Sequence, residues 1–398
     1  MDNSVFRRNI FEKIESFLGT NNIIVLHGAR QVGKTHILYY IQKFLKEKGM
    51  VTHYIDLEDS RFLEILDNGV DAFISYIKGE GIRNKATVFI DEIQYLKDPS
   101  SFLKLMIDHH PEIQLIISGS SSFNIKSKFK DSLVGRTVDF EIFPLSFAEF
   151  LQFKNIKTSV ESKLLELYQE YIHYGGYPKI VLDDNMHHKE TYLQQIIDTY
   201  IRKDISDLAN IKDTKKFNDL LKVLASQSGQ LLKVSELSDI TGLALQTINY
   251  YLEILEETYI IKLVSPFSSS AKVEVGKTPK IFFYDTGILQ MLWLKKLQKE
   301  NIGNMLETSI FSELVKRIGK ENINYWRNKN ANEIDFIINI GGEITPIEVK
   351  SNFSQFKKSK INSFLEKYKP KNFYVVGLAG EKNKEYNKYP WEIPESLR

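Results

Sequence analysis

The segment Gly28-Ala29-Arg30-Gln31-Val32-Gly33-Lys34-Thr35 constrains the fold of this chain more than any other feature. Its spacing, G-x-x-x-x-G-K-T, follows an apolar run and opens a helical pattern, which is the context that a phosphate-binding loop requires. The backbone N–H groups of such a loop converge at a helix N-terminus and bind phosphates. Lys34 is expected to reach the β- and γ-phosphates of ATP, and the Thr35 hydroxyl to bind Mg²⁺. The alternative is a glycine-rich turn that carries these letters by chance.

Short apolar runs alternate with amphipathic stretches between residues 23 and 143, as in βαβ units that form a parallel sheet with helices on both faces. The predicted strands are Ile23–His27, Val51–Asp56, Thr87–Asp91, Ile113–Ser118 and Val138–Phe143. The fold class is therefore α/β, and residues 1–144 are predicted to form a P-loop NTPase core with a parallel sheet.

Two adjacent acidic residues, Asp91 and Glu92, follow the third of these strands. Ligands bind at the carboxyl ends of strands in open α/β sheets, so this pair is expected to face the phosphates. Asp91 would complete the Mg²⁺ site, and Glu92 would orient or deprotonate the attacking water. The alternative is that both residues only cap the next helix.

The next strand ends in Ser118-Gly119-Ser120-Ser121, which would place the hydroxyls of Ser118 and Ser120 beside the nucleotide. Taken alone, this is an ordinary serine-rich loop. Arg136 precedes the last strand, a position from which an arginine can reach the nucleotide of a neighbouring subunit and stabilise the charge of phosphoryl transfer. That role implies a homo-oligomer, and the alternative is a surface arginine.

Helical patterns dominate the middle of the chain. Residues 145–210 are predicted to form a helical lid, and residues 211–265 a winged helix-turn-helix domain with helices at Phe217–Ser228, Val234–Thr241 and Leu245–Glu256. Ser235 is predicted to be an N-cap and Gly242 a turn. Residues 280–398 form a third predicted domain, with a strand at residues 280–284, a helix at residues 303–318 and a hairpin at residues 333–350.

The hairpin turns at Gly341-Gly342, which favours a two-residue type I′ turn that pairs Ile340 with Glu343. The register then places Asp335 opposite Glu348, and Glu333 opposite Lys350.

Two facing carboxylates repel each other, and a divalent metal would offset that charge. Asp335 and Glu348 as metal ligands, Lys350 beside them and Glu307 from the preceding helix would supply the groups for metal-assisted phosphodiester cleavage. The alternative is a hairpin whose Glu333–Lys350 ion pair has no function beyond the sheet.

Composition excludes several other classes of protein. The chain has no cysteine, so disulfides and thiolate metal sites are excluded. No apolar run is long enough to cross a bilayer and the first residues lack a secretory signal, so a cytoplasmic protein without a membrane partner is expected. The net charge of +2 on 398 residues does not by itself indicate a nucleic-acid partner.

Taken together, these motifs resemble the bacterial and archaeal AAA+-like P-loop ATPases that carry a C-terminal domain of unknown function with a restriction-endonuclease-like fold. The resemblance includes the phosphate loop, Phe89-Ile90-Asp91-Glu92-Ile93-Gln94, the serine loop, Leu133–Arg136, Gly175–Pro178 and Phe283–Gly287. It implies that Glu307, Asp335, Glu348 and Lys350 correspond to the PD-(D/E)xK nuclease pattern, although the proline before Asp335 is replaced by Glu333-Ile334.

The leading functional hypothesis is an ATP-hydrolysing switch that is coupled to a nuclease-like domain and acts on or near DNA. Several lysines between residues 350 and 371 would provide positive charge for contact with the phosphates of DNA. The predicted recognition helix at residues 245–251 contains no lysine or arginine, which disfavours it as a reader of DNA. The alternative is a nucleotide-gated, protein-binding switch with a catalytically inactive C-terminal domain.

Overall fold

A computed structural model of the chain describes residues 6–119, 133, 135–268, 278–298, 303–394 and 397. The chain divides into two compact units, Met1–Phe143 and Pro144–Arg398. The predicted site residue Ser120 lies outside the described residues. Among the helices of the described ranges, none is long and apolar enough to cross a membrane.

The first unit is built on a five-stranded parallel sheet with the order β2-β3-β4-β1-β5. Its strands are β1 Ile23–His27, β2 Thr52–Asp56, β3 Ala86–Asp91, β4 Ile113–Gly119 and β5 Thr137–Glu141. Every residue of β1, β3 and β4 is buried, as expected for central strands that helices cover on both faces. The predicted five-stranded parallel sheet is confirmed, and the predicted strands differ from the observed ones by one or two residues at their ends.

The helices of this unit pack their apolar faces against the sheet or against one another. They are α1 Phe11–Glu15, α2 Lys34–Glu47, α3 Ser60–Asp67, α4 Val70–Gly79 and α5 Pro99–His109. Helix α2 begins directly after the phosphate loop, and its buried residues recur at helical spacing, at Ile37, Leu38 and Ile41. The loop is therefore fixed between a buried strand and a buried helix.

The second unit begins with helices, as the sequence predicts. They are α6 Phe147–Phe153, α7 Glu161–Tyr174, α8 Pro178–Leu182, α9 Met186–Ile196, α10 Ile205–Leu208, α11 Thr214–Ser226, α12 Val234–Thr241 and α13 Leu245–Glu257, with a π-helix at Ile197–Asp204 between α9 and α10. Helices α11 to α13 lie close to the predicted positions. The predicted N-cap at Ser235 is wrong, because α12 already begins at Val234 and Lys233 occupies the cap position. Gly242 follows α12 in a left-handed conformation, in the position where the sequence predicts a turn.

The remainder of this unit forms a two-stranded and a five-stranded sheet. Strands β6 Ile261–Val264 and β7 Lys280–Phe283 pair with each other, so β7 does not join the C-terminal sheet. Helices α14 Thr286–Leu294 and α15 Gly303–Ile318 follow, and α16 Asn362–Tyr368 comes later. The five-stranded sheet has the order β12-β11-β10-β9-β8, with β8 Ile323–Arg327, β9 Glu333–Ile340, β10 Glu343–Asn352, β11 Tyr374–Ala379 and β12 Asn387–Lys388.

Strands β9 and β10 form the predicted hairpin. Both Gly341 and Gly342 have positive φ, and Ile340 pairs with Glu343, so the predicted turn and register are confirmed. Strand β11 runs parallel to β10, which makes this sheet mixed. The register brings Asp335 of β9 and Glu348 of β10 to neighbouring positions just beyond the Phe336–Ile347 pair.

Candidate functional site

The phosphate loop lies between β1 and α2, where its close packing requires a glycine. A Cβ atom at Gly28 would lie 2.1 Å from the carbonyl oxygen of Ile142, so a larger residue would displace the loop. Gly33, at the N-cap of α2, has a φ of 98°, which favours glycine. Between them, Ala29 and Val32 are buried, whereas Gln31 is exposed and Arg30 is half-buried.

Lys34 is buried and contacts the loop itself. Its Nζ donates hydrogen bonds to the carbonyl oxygens of Gly28, at 3.0 Å, and Ala29, at 2.8 Å. Burial lowers the pKa of Lys34 to about 8, against the attraction of Glu92 and Asp91. A bound polyphosphate would place more negative charge beside this ammonium and favour its protonated form.

Asp91 connects helix α2 with strands β2 and β4 through its carboxylate. Oδ2 accepts hydrogen bonds from the Thr35 hydroxyl and the Tyr54 hydroxyl, both at 2.7 Å. Oδ1 accepts one from the hydroxyl of Ser118. The structure thus brings Thr35, Asp91 and Ser118 together, as the sequence predicts, although the Tyr54 contact was not predicted.

Glu92 follows Asp91 in a left-handed backbone conformation, with a φ of 56°. Such a conformation is uncommon for a residue with a Cβ and is found at functional sites, where the surrounding structure imposes it. The side-chain amide of Gln94 donates a hydrogen bond to the Glu92 carboxylate. Burial raises the pKa of Glu92, while the ammonium of Lys34 and the amide of Gln94 oppose that rise.

Arg136 directly precedes β5, and its guanidinium is 2.9 Å from Oδ1 of Asp108. About a third of its side chain is exposed. The role that the sequence suggests, contact with a neighbouring subunit's nucleotide, therefore remains a proposal.

A second group of charged residues lies in the C-terminal part of the chain. Lys350 Nζ is 2.6 Å from Oε1 of Glu348 and 3.6 Å from Oδ2 of Asp335. Asp335 also accepts a hydrogen bond of 2.7 Å from the backbone N–H of Val349. Burial raises the pKa of Glu348, and Asp335 adds to that rise while Lys350 opposes it. We call Glu307, Glu333, Asp335 and Glu348 the acidic cluster.

The structural alternative, a Glu333–Lys350 ion pair, is not among the ion pairs of the described residues. Glu333 instead contacts the ammonium of Lys280 at 2.6 Å and the guanidinium of Arg327 at 3.7 Å. Lys280 also contacts Glu307, at 3.1 Å, although the sequence gives no sign of this because Lys280 stands before β9 in another sheet. Lys350 contacts Asp335 and Glu348 instead.

Ammonium groups lie among the carboxylates of the acidic cluster. Within the described part of the chain, no three carboxylate or histidine side chains converge to hold an ion. Lys280 contacts three of the four carboxylates, and Lys350 contacts Asp335 and Glu348. Metal binding by Asp335 and Glu348 therefore stays a prediction.

Three family models match successive parts of the chain. They are an AAA domain over residues 20–151, a domain of unknown function (DUF8612) over residues 165–301 and a second such domain (DUF4143) over residues 302–395. The uncharacterized protein MJ1544 of Methanocaldococcus jannaschii is 30% identical over 340 residues, which cover 82% of this chain and 74% of that protein. The chain belongs to the family of MJ1544. An uncharacterized protein of Haemophilus influenzae is 29% identical over 360 residues, covering 87% of this chain and 86% of that protein.

The match to the AAA domain includes the whole phosphate loop, Asp91 and Glu92. This member of the MJ1544 family therefore has a P-loop, AAA+-like ATPase domain, as the sequence predicts. A solved structure of a Walker-type ATPase of Pyrococcus abyssi is 16% identical, with a TM-score of 0.49, and the match covers 72% of this chain and 95% of that one. The match over residues 302–395 names no fold, so the restriction-endonuclease-like interpretation remains a proposal.

Proposed function

We propose that this protein is an ATP-hydrolysing switch whose second unit contains a restriction-endonuclease-like domain that acts on or near DNA. The ATPase activity is proposed from one observation. Lys34, Thr35 and Glu92 lie around Asp91 at the carboxyl end of the parallel sheet. A loop of this kind binds phosphates, and a carboxylate beside it provides the base that hydrolysis requires.

The residues at the loop fit a magnesium ion. The hydroxyl oxygen of Thr35 and Oδ2 of Asp91 are hard oxygen ligands, and they already lie 2.7 Å apart. When bound, Mg²⁺ would neutralise charge on the phosphates. Lys34 would exchange its hydrogen bonds to the loop carbonyls for the β- and γ-phosphate oxygens, and Ser118 would hold Asp91 in place.

Glu92 would orient the attacking water and accept its proton, since its carboxylate is half-buried beside Lys34 and Asp91. Arg136 would act on the nucleotide of a neighbouring copy in a homo-oligomer, exchanging Asp108 for the phosphate charge. Both roles rest on position and charge.

The first test separates nucleotide binding from hydrolysis. We expect Lys34→Ala to lose ATP binding, because it removes the ammonium that faces the phosphates. Glu92→Gln should keep ATP binding and lower kcat by about 10²–10⁴-fold, the usual contribution of a general base. Binding is measured with a fluorescent ATP analogue and turnover by phosphate release.

Lys97→Ala is the matched control, because Lys97 belongs to the same unit, is mostly exposed and pairs only with Asp67 among the contacts of the described chain. Its turnover should equal that of the wild type. Hydrolysis that is unchanged in both Lys34→Ala and Glu92→Gln would contradict the proposed site.

Two features support a DNA-related role for the C-terminal part. Its mixed sheet presents Glu307, Asp335, Glu348 and Lys350 in one group, which agrees with the nuclease pattern that the sequence resembles. Lysines near the end of β10 and on α16, Lys357, Lys358, Lys360 and Lys367, add positive charge that suits phosphates. Helix α13 contains no lysine or arginine, so we do not place DNA on it.

One observation favours the second candidate, a nucleotide-gated, protein-binding switch with a catalytically inactive C-terminal domain. The ammonium of Lys280, which is not part of the nuclease pattern, lies among the carboxylates that a nuclease would use for metal ions. We therefore derive no cleavage step from this geometry. Cleavage of supercoiled plasmid by the full chain separates the two candidates.

A further inference from the structure

Lys280 is a buried lysine that joins two sheets of the second unit. It begins β7, where it pairs with Val264 of β6, and it also forms a bridge with Leu231. Its backbone thus pairs with segments that flank α12 and α13. Its side chain, however, reaches the carboxylates of the C-terminal sheet and of α15, and the residue is only 2% exposed.

The ammonium of Lys280 is surrounded by carboxylate oxygens. Its Nζ lies 2.6 Å from Glu333, 3.1 Å from Glu307 and 3.8 Å from Asp335. Burial lowers the pKa of Lys280, but the attraction of these three carboxylates outweighs burial, and the pKa is raised. Lys280 is therefore a permanent cation at physiological pH.

The loop that precedes α12 covers the same place. The backbone N–H of Gly229 donates to the carbonyl oxygen of Ile281 at 2.7 Å, and a Cβ at Gly229 would lie 3.2 Å from Oε2 of Glu307. The hydroxyls of Ser228 and Thr308 are 2.8 Å apart and buried. The side of the acidic cluster at Glu307 is therefore covered by Lys280 and by the loop at residues 228–231.

The charges of the acidic cluster are nearly balanced inside the protein. Its four carboxylates face the ammoniums of Lys280 and Lys350 and the guanidinium of Arg327. One carboxylate oxygen of the cluster, Oε2 of Glu348, is buried and has no hydrogen-bond partner among the described residues. A buried carboxylate oxygen without a partner is costly, and a cation is the ligand that would satisfy it.

We propose that Lys280 is an internal counter-ion that keeps divalent cations out of the acidic cluster, and that loss of its charge converts the cluster into a site for one Mg²⁺ or Mn²⁺. An ammonium held among three carboxylates occupies the space and supplies the charge that an ion would provide. This inference concerns the C-terminal cluster alone and holds whether or not the first unit hydrolyses ATP.

The test measures Mn²⁺ binding to the nucleotide-free full chain. Calorimetric titration gives the affinity and the number of ions bound, and electron paramagnetic resonance gives the concentration of free Mn²⁺. We expect Lys280→Met to bind one more Mn²⁺ than the wild type, at least about tenfold more tightly than any ion bound by the wild-type cluster. Adding Asp335→Asn to Lys280→Met should remove that ion. The matched control is Lys189→Met, which removes another buried ammonium, 3.6 Å from Glu170 in the same unit, and should gain no ion.

Two results would overturn the proposal: a wild-type chain that already binds an Asp335-dependent Mn²⁺, or a folded Lys280→Met that gains none. Lys280→Gln is a second variant that keeps a hydrogen-bond donor without the charge. If both variants unfold in metal-free buffer, the melting temperature is followed as Mn²⁺ is added. A rise that Asp335→Asn removes supports the proposal, and no rise contradicts it.

Discussion

At the scale of single residues, the candidate ATP site depends on side chains that act through Asp91 and Glu92. The phosphate loop and the acidic pair could be predicted from the sequence, because their spacing is local and their position after a strand is fixed by the chain. The contacts of Tyr54 and Gln94 could not. A tyrosine in a strand has no spacing that marks it, and Gln94, although it belongs to a motif of the family resemblance, gives no sign of its bond to Glu92. Only the folded sheet places the Tyr54 hydroxyl 2.7 Å from Asp91.

A pH dependence follows from the environment of Glu92. Because burial raises the pKa of Glu92, hydrolysis should be lost as the pH falls through a value above that of an ordinary carboxyl group. Gln94→Met removes a hydrogen bond to the charged form, so the acidic limb of kcat should move up by about one pH unit. The measurement is kcat against pH for Gln94→Met and the wild type.

Binding of the ATP analogue provides the control for this variant, because a role limited to folding would change affinity and turnover together. Affinity should stay within about twofold while the limb moves, a difference under 0.5 kcal/mol. An acidic limb that stays in place would refute the assigned contact.

At the scale of elements, two short motifs that the sequence associates with the family prove to be one structural junction. The carboxylate of Asp285 is buried at the N-cap of α14, where it accepts hydrogen bonds from the backbone N–H of Ile288, at 3.0 Å, and Gly176, at 2.7 Å. A Cβ at Gly175 would lie 2.3 Å from this carboxylate, and Gly175 has a φ of 79°. The sequence shows both motifs, but their contact spans more than 100 residues and could not be predicted.

Loss of the Asp285 carboxylate should therefore destabilise the second unit. Asp285→Ala leaves two buried backbone N–H groups without acceptors, and we expect the free energy of unfolding to fall by about 3 kcal/mol. Urea unfolding followed by circular dichroism measures the change. Asp213→Ala is the comparison, because Asp213 caps α11 at the surface and its loss should cost only about 1 kcal/mol. Equal effects of the two substitutions would show that burial of the Asp285 junction adds nothing.

At the scale of the whole molecule, the sequence predicts local order better than long-range pairing. The hairpin register follows from Gly341-Gly342 and the alternation of apolar residues, and it is confirmed. The pairing of β7 with β6 and the resulting position of Lys280 were missed, because a short apolar strand does not indicate which sheet it joins. The sequence therefore does not reveal that the ammonium of Lys280 lies among the carboxylates of the acidic cluster.

Coupling between the ATPase and the C-terminal domain can be tested on the full chain with supercoiled plasmid and Mg²⁺ or Mn²⁺. If the acidic cluster is inactive as it stands, no nicking should occur with or without ATP. Nicking that requires Lys350, shown by its loss in Lys350→Ala, would instead establish the nuclease. Glu92→Gln, which should hold ATP without hydrolysis, then reports whether the nucleotide state controls cleavage.

The placement of Lys280 also affects how the protein can be divided. The family match to the C-terminal domain begins at residue 302, whereas Lys280 lies in the preceding match. A fragment cut at that boundary would keep all four carboxylates and lose the ammonium that contacts three of them. On the proposed role of Lys280, such a fragment would bind divalent cations more tightly than the intact protein, so cation affinity or cleavage seen in the isolated domain would have to be checked on the full chain.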